Sequence, residues 1–495
     1  AGIVTSHITH TIAADVAGAA LSVTGDAAVA SLSQGKIEVY AAGIAIAASA
    51  GGAGSSVSNV MATDVTARIS AGADIAADGN VGVLARNSDE IAVVAGALGA
   101  GQSSLGFGVS LVVNTLGGTT SAGIFGATTL VDAKGAGASQ IAIDSGTLAA
   151  ALDAGSFSAP TVSPPSLVET QRMVRGIAVS ASSHQAVVAN AASAGASQGI
   201  AAGLVAVANL MGGTTRAEID AASVGTRLDA LAAAVRPDIA VVASSHSFAN
   251  DFVFGVAASG NLAGGGAAAA NRMERETIAA MTGVTVENAR DIDVAASASE
   301  ITSGIAVGFA GGGSGGAAAS GAVNTFDATT RAAVGGGSIA ARSLSVEARH
   351  DSGIAAWAGA LAGGGTAGIG ASFVVAASES VTEATLGAAG QTTVLSLSGA
   401  LDVVSTSNVA HEVYVVGGAG AGTAGVAGMV NVLMLANRTA ATVVAVDLNQ
   451  PATSTAAGDV TVAARESVEI GSVVGALGAG GMAGIGAAPC DGGRT

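Results

Sequence analysis

GIAAWAGALAGGGTAGIGASFVVAASESVTEA, residues 353–384, decides the fold of this chain, because variants of it recur from one end to the other. A run of small apolar residues (354–361) leads into Gly363-Gly364-Gly365, where backbone without Cβ can turn tightly at positive φ. The apolar side chains at odd positions of 369–375 then alternate with small residues. Because period-two alternation is typical of a β-strand, the stretch predicts strand, turn, strand.

An asparagine that closes this strand marks each repeat. The marker positions are Asn59, Asn114, Asn209, Asn271, Asn324, Ala376 and Asn431, with successive spacings of 55, 95, 62, 53, 52 and 55 residues. Stacked asparagines in parallel coils can share amide hydrogen bonds along a ladder. We therefore predict a structural ladder with a gap at Ala376, formed by Asn59, Asn114, Asn209, Asn271, Asn324 and Asn431.

The repeats favour an all-β fold, a right-handed parallel β-helix (β-solenoid) built from repeats of about 52–55 residues. A second strand in each repeat ends in a polar group such as Arg86–Glu90 or Arg349–Ser352, which we interpret as an exposed corner. The handedness follows the usual rule for parallel crossovers. If each repeat winds two coils, about eighteen coils stacked at roughly 4.8 Å make a rod on the order of 90 Å.

The domain organisation predicted is one continuous solenoid over 1–495 with three departures. The Pro-containing segment 131–175 breaks the alternation and should loop out as an insertion. In 226–237, TRLDALAAAVRP, leucines near helical spacing favour a short helical excursion. Residues 489–495 form a tail unlike the repeats.

Composition excludes several classes of function. Aromatic residues make up 2% of the chain, and glycine supplies 74 of its residues, so a thin elongated core is expected in place of a broad globular one. The net charge of -17, with Lys36 and Lys134 as the two lysines, argues against nucleic acid as a partner. The long uncharged windows are rich in Gly, Ser and Thr and alternate at period two, which argues against insertion into a membrane as helices.

The ends of the sequence and its cysteine content give two further expectations. Cys490 is the single cysteine, so no disulfide can form within the chain. No secretory leader is recognisable, and residues 5–13 read as the end of a repeat. We therefore expect the chain to be a mature or cut piece of a longer protein.

The histidines and glycine clusters raise the question of metal or phosphate binding. His184 and His246 follow Ala-Ser-Ser in neighbouring repeats and His7 and His10 lie close in sequence, but corners spaced along a rod do not converge on a metal, so we predict exposed polar corners and no metal site. The glycine clusters lack the Gly-Lys-Ser/Thr ending of a phosphate loop. We predict no cofactor, no catalytic residues and no enzyme activity.

A strip of very small side chains follows the strand after the glycine turn. Its members are Gly or Ala and Ser at alternate positions of 106–110, 316–320 and 368–372. Stacked coils would present this strip either to another molecule as a flat surface or to the interior of a flattened solenoid. The sequence leaves both orientations open.

The unit GxAGIGASFVVx followed by steps similar to NTFDATTRA resembles the repeats of large bacterial filamentous adhesins, including leukotoxin-type filamentous adhesins exported by the two-partner (type V) route. The resemblance covers the chain apart from 131–175 and the tail. It implies a non-catalytic, extracellular or cell-surface stalk that associates end to end or laterally. The alternative is a binding module, in which the 131–175 insertion recognises a host receptor or glycan on a solenoid scaffold.

Overall fold

The computed structural model describes residues 1–137, 139–149, 165–225, 236–449 and 458–488, and these residues form β-strands without a helix. Neighbouring strands of the main sheets run parallel, and paired residues lie about one sequence repeat apart. Ala27, for example, pairs with Val81, and Leu344 pairs with Leu401. The fold is therefore all-β with extended parallel pairing, the arrangement of a β-solenoid.

Each layer of the stack passes through three sheets in turn, with the strands numbered in chain order. Sheet 1 contains β3 (Ala27–Ala47), β6 (Val81–Gly101), β12 (Gly176–Ser197), β15 (Asp238–Ser259), the second halves of β16 (Leu262–Gly312) and β17 (Gly315–Gly364), β20 (Leu401–Ala421) and β23 (Val460–Gly480). Sheet 2 contains β1 (Gly2–Ala17), β4 (Ala50–Ser70), β7 (Leu105–Gly117), β8 (Thr119–Phe125), β13 (Ile200–Asp220), the first halves of β16 and β17, β18 (Ala367–Leu386), β21 (Ala424–Val443) and β24 (Ala483–Ala487). Sheet 3 contains β2 (Ala20–Val23), β5 (Asp74–Ala77), β9 (Leu130–Ala133), β14 (Ser223–Val224), the middle parts of β16 and β17, β19 (Thr393–Leu397) and β22 (Val446–Leu448).

One repeat makes one layer, so the expectation of two coils per repeat is wrong. The long strands of sheets 1 and 2 run for about 21 residues, as in β3 and β4. The polar group Arg86–Glu90, which the sequence pattern indicated as a corner, lies in the middle of β6. The nine strand positions described in sheet 2 give a stack of about 40 Å at roughly 4.8 Å per layer.

The interior contains two apolar clusters, one next to sheet 3 and one farther along sheets 1 and 2, with a polar zone between them. Next to sheet 3, a cluster of fully buried side chains includes Val179, Ile219 and Val241. Farther along sheets 1 and 2, a second cluster includes Val187 and Met211. Between the two clusters, most inward side chains of both sheets are polar or charged, among them Asn87, Gln185, Glu300 and His350, which places buried polar groups at the centre of the stack.

The strip of small side chains faces the interior. Gly316, Ala318 and Ser320 are buried, while Phe373 on the other face of the sheet is 47% exposed. Near the turn that joins the sheets, the two backbones approach so closely that a Cβ placed on Gly316 would lie 2.3 Å from the carbonyl oxygen of Gly363. These glycines therefore allow close packing between sheets, and none of Gly363-Gly364-Gly365 has positive φ.

The described part of the predicted insertion 131–175 contains a solenoid strand and a hairpin. Val131 pairs with Ile75 and Val224 in sheet 3, so it belongs to the solenoid. Beyond it, β10 (Ile141–Leu148) and β11 (Glu169–Val174) form an antiparallel hairpin against sheet 1, which we call the hairpin.

The predicted helical excursion and the predicted non-repeat tail cannot be compared with the structure. Residues 226–235 of the predicted helical excursion and the tail 489–495 lie outside the described residues. Within the described ranges, none of the secondary structure is a helix of the length and apolar character needed to cross a membrane.

Candidate functional site

The predicted asparagine positions on sheet 2 form a hydrogen-bonded column in the interior. Each side-chain Nδ2 donates to Oδ1 of the next asparagine, at 2.9 Å from Asn59 to Asn114 and at 2.8 Å for the three following steps. All five side chains are buried. The column comprises Asn59, Asn114, Asn209, Asn271 and Asn324.

Asn431 does not continue this column, and the sequence-based placement of that residue is wrong. Ala376 pairs with Asn324 on one side and with Leu433 on the other, whereas Asn431 pairs with Val374. The turn around Gly387–Gln391 lengthens this layer, so that the partner of Ala376 lies 57 residues later instead of 55. Asn431 instead donates to Ser472 Oγ at 2.8 Å.

Two charged residues project into the interior, Asp251 beside the column and Arg275 farther along sheet 2. Oδ1 of Asp251, on sheet 1, accepts a hydrogen bond of 2.6 Å from Asn209. Burial raises the pKa of Asp251 from 3.8 to about 7, although the amides of Asn209 and Asn271 oppose this rise. Arg275, on sheet 2, donates to Ser245 Oγ at 2.7 Å and to other oxygens nearby, and burial lowers its pKa to about 10.

Two histidines are also buried in the interior, where the sequence predicted exposed corners. His350 Nε2 is hydrogen-bonded to Glu300 Oε2. Burial alone would lower the pKa of His350, but the adjacent Glu300 carboxylate raises it above the ordinary value. His411 makes no hydrogen bond through its ring, and burial lowers its pKa to about 4.

The hairpin covers the outer face of sheet 1 at β12 and β15, so both faces of these strands are buried. Leu148 and Leu167 pack against a patch that includes Phe248. Polar contacts fix the hairpin in place: Ser182 Oγ donates to Asp144 Oδ2 at 2.6 Å, and Arg172 forms an ion pair with Asp293. Side chains that would otherwise face solvent are therefore enclosed.

Three of the enclosed side chains converge. His184 and His246 are register partners on β12 and β15, and Glu169 lies above them on β11. Glu169 Oε1 is 2.9 Å from His184 Nε2 and 3.3 Å from His246 Nε2. All three residues are at most 3% exposed. Burial tends to raise the pKa of Glu169, but the two imidazoles lower it well below the usual range.

The carboxylate of Glu169 is held by further donors. Ser244 Oγ donates to Oε1 at 2.6 Å, and the backbone nitrogen of Gly146 donates to Oε2 at 2.6 Å. His246, in contrast, makes no hydrogen bond of acceptable geometry through either ring nitrogen. Carboxylate and imidazole groups in this arrangement are the donor types that transition metals prefer in proteins. His7 and His10 do not converge in this way, since they lie on opposite faces of β1.

A groove of about 430 Å³ opens between the hairpin and the exposed part of sheet 1. Its floor follows the register column from His246 through Ser299, Asp351, Asn408 and Ser467. Asp351 is fixed by Arg349, at 2.9 Å, and by Asn408, whose Nδ2 donates at 2.7 Å. One end of the groove reaches His246, and the other end is polar and open.

Sequence reasoning missed the convergence of Glu169, His184 and His246, although it placed the two histidines at equivalent positions. It treated them as exposed corners, whereas they lie mid-strand beneath the hairpin. One signal was present: Ala-Ser-Ser-His occurs in the two repeats that directly follow the insertion. Histidine at the same position of two neighbouring strands places the two imidazoles side by side on one face of the sheet.

Comparison with known proteins gives no functional assignment. No protein-family model, no curated protein and no solved structure matches the chain. The geometry of the chain itself is therefore the basis for inferring its function.

Proposed function

We propose that this chain is a structural, non-catalytic segment of an extracellular bacterial surface adhesin or filament, which acts as a rigid stalk. The observation that carries the proposal is the continuous parallel pairing from β1 to β24, with one repeat per layer. Such pairing places every layer in contact mainly with its two neighbours, as in other solenoids, so the stack lengthens with each added repeat. The repeat resemblance to filamentous adhesins agrees with this use.

The finer features of the fold belong to the same proposal. The coil is right-handed, following the preference of parallel crossovers. Its repeat is about 52–55 residues, a length supported by register offsets of 54 residues from Ala27 to Val81 and 52 from Asn324 to Ala376. Longer offsets occur where the chain adds residues, as at the hairpin.

The interior chemistry supports a structural use. The buried carboxylates of Asp251 and Glu300 contact Asn209 and His350, which are parts of the fold itself. The asparagine column joins successive layers by hydrogen bonds. Buried polar groups that are satisfied between layers specify the register of the stack.

Self-association through the ends of the stack is part of the proposal. Among the described residues, β3 pairs only with β6 in sheet 1, and β23 pairs only with β20. Within the described residues, the outer edges of β3 and β23 carry backbone groups able to pair with a further β-strand, including one from a second copy of the chain. Electron microscopy of the purified chain at rising concentration should show end-to-end or lateral assemblies. Rods that stay monomeric under several ionic conditions would contradict the assembly.

A second candidate function is recognition of a receptor or glycan by the insertion, and the groove beside the hairpin favours it. The groove is concave and contains fixed polar side chains such as Asp351 and Arg349, which are features of ligand sites. A sugar could accept hydrogen bonds from Arg349 and donate to Asp351.

Matched point variants separate the two functions without removing the hairpin. The side chain of Arg349 is 45% exposed in the groove, and that of Arg331 is 45% exposed on sheet 2. If the groove binds a ligand, Arg349→Ala should reduce attachment to host cells and to a glycan array, while Arg331→Ala should not. If both variants and a hairpin deletion attach as strongly as the wild-type chain, the groove does not bind the ligand and the stalk function alone remains.

A further inference from the structure

The geometry points to a divalent transition-metal site formed by Glu169, His184 and His246, which fastens the hairpin to the solenoid. This site does not depend on the proposed stalk function. It consists of three side chains from three different strands: Glu169 from β11 of the hairpin, His184 from β12 and His246 from β15.

The distances among the three groups suit a metal. Tetrahedral zinc with bonds of about 2.0–2.1 Å places its ligand atoms roughly 3.3 Å apart. Nε2 of His184 and Nε2 of His246 lie 2.9 and 3.3 Å from Oε1 of Glu169, and the three ligand atoms all lie within 4.8 Å of one another. A small movement of side chains would bring all three atoms to bonding distance of one ion.

The surroundings hold the carboxylate ligand in place. Ser244 Oγ and the backbone nitrogen of Gly146 donate to the two oxygens of Glu169, at 2.6 Å each. Hydrogen bonds of this kind orient metal ligands and strengthen their binding. The hydroxyl of Ser244 comes from β15, the same strand as His246, so the carboxylate and the second imidazole are positioned by one element.

A cluster held only by hydrogen bonds explains the site less well. His184 Nε2 is hydrogen-bonded to Glu169 Oε1 at 2.9 Å, whereas His246 Nε2 lies 3.3 Å from the same oxygen in poor hydrogen-bond geometry, and His246 is 2% exposed. Burying an imidazole whose ring nitrogens are poorly hydrogen-bonded destabilises the folded chain. A metal ion bound at Nε2 would supply the missing partner.

The donor set selects the class of metal. Two imidazoles and one carboxylate suit Zn²⁺, Co²⁺ or Ni²⁺, whereas Ca²⁺ and Mg²⁺ prefer all-oxygen sites. The groove reaches His246, so an ion can enter and a further ligand, such as water, can bind from that side. The site thus has three protein ligands and room for a fourth.

Titration of the metal-free full chain with Zn²⁺, followed by calorimetry, tests the inference. We expect one Zn²⁺ per chain, a higher midpoint of thermal unfolding with Zn²⁺, and visible absorption typical of four- or five-coordinate Co²⁺ when Co²⁺ replaces it. Glu169→Gln and His246→Gln should each weaken Zn²⁺ binding by more than about tenfold. Failure of the wild-type chain to bind Zn²⁺ or Co²⁺ would overturn the inference.

Matched variants keep the test decisive. His411→Gln changes a buried histidine elsewhere in sheet 1 and should leave Zn²⁺ binding unchanged. Circular dichroism identifies any variant that does not fold. If a ligand variant does not fold, Ser244→Ala replaces it in the test. This change removes only the hydroxyl that holds Glu169 and should still weaken Zn²⁺ binding measurably. Binding that is unchanged in all of the folded variants would place the ion elsewhere and contradict the assignment.

Discussion

Oδ1 of Asp251 accepts a hydrogen bond of 2.6 Å from the side chain of Asn209, between the two long sheets and out of reach of solvent. The contact joins a carboxylate on sheet 1 to the asparagine column on sheet 2. Because the pKa of Asp251 is raised from 3.8 to about 7, the folded chain retains a proton there that the unfolded chain releases. This difference makes stability depend on pH.

The first prediction concerns Asp251→Asn. Between pH 3.8 and about 7 the folded state binds the extra proton, so the contribution of Asp251 to the free energy of unfolding falls as pH rises, by about 1.4 kcal/mol per pH unit. The total loss is on the order of 4 kcal/mol, since the shift is about three units. Asparagine does not ionise, so the variant should gain stability relative to the wild type as pH increases.

Urea unfolding of both proteins across this pH range measures the difference. The informative quantity is the free energy of unfolding of the variant minus that of the wild type, because other titrating groups cancel. A difference that does not change with pH would show that Asp251 ionises normally in the folded chain.

The second prediction concerns Asn114→Ala. Asn114 accepts from Asn59 and donates to Asn209, so the variant leaves one buried donor and one buried acceptor without partners. We expect a loss of about 1–3 kcal/mol in the free energy of unfolding. Asn261→Ala, at an exposed turn, is the control and should change stability little. Equal effects in the two variants would mean that the column contributes no more than a surface asparagine.

The third prediction concerns the ion pair of His350 with Glu300. The pKa of His350 is raised in the folded state. The pair therefore contributes stability that is fully present below pH 6.5 and is lost as the pH rises through the pKa that His350 has in the folded chain. Glu300→Gln removes the attraction. The variant should therefore be less stable than the wild type at about pH 6, and the deficit should shrink at higher pH.

Thermal unfolding of Glu300→Gln and the wild type at several pH values measures this trend. Arg275 also interacts with Glu300, and because its guanidinium stays charged over this range it adds a contribution nearly independent of pH. A stability deficit of the variant that grows as pH rises would contradict the expected direction.

The register of the stack could be predicted from the sequence where repeats have equal lengths. Asn324 and Ala376 were placed as partners and do pair in β17 and β18. Asn431 was misplaced by two residues because the turn around Gly387–Gln391 is lengthened, and spacing alone does not reveal in which part of the layer the extra residues lie. A marker residue therefore gives the register only as long as the turns keep their length.

Polar residues in mid-strand were harder to interpret. The group from Arg86 to Glu90 was taken as a corner because polar residues usually border strands, yet Asn87 and Asp89 point inward, where Asn87 Nδ2 donates to Asp89 Oδ2 at 2.9 Å. His184 and His246 point outward and are buried only because the hairpin covers them. A single strand pattern cannot show a cover supplied by another part of the chain.

The orientation of the small-residue strip was left open by the sequence, and the sheets explain why it faces inward. Gly265 on β16 approaches sheet 1 so closely that an added Cβ would lie 1.9 Å from the carbonyl oxygen of Phe309. Its neighbour Gly264 faces outward, where an added Cβ would meet no atom within 4 Å. Adjacent glycines in one strand thus experience opposite environments.

The last prediction compares Gly265→Ala with Gly264→Ala. Neither residue has positive φ, so the backbone conformation suits alanine at both positions and only the available space differs. Gly265→Ala must push the two sheets apart and should cost about 1–3 kcal/mol in the free energy of unfolding. Gly264→Ala should stabilise the chain by about 0.4–1 kcal/mol, because alanine restricts the unfolded state. Chemical unfolding of the two variants and the wild type measures both changes in the free energy of unfolding. A Gly265→Ala variant as stable as the wild type would mean that the two sheets can move apart at this position without loss of stability.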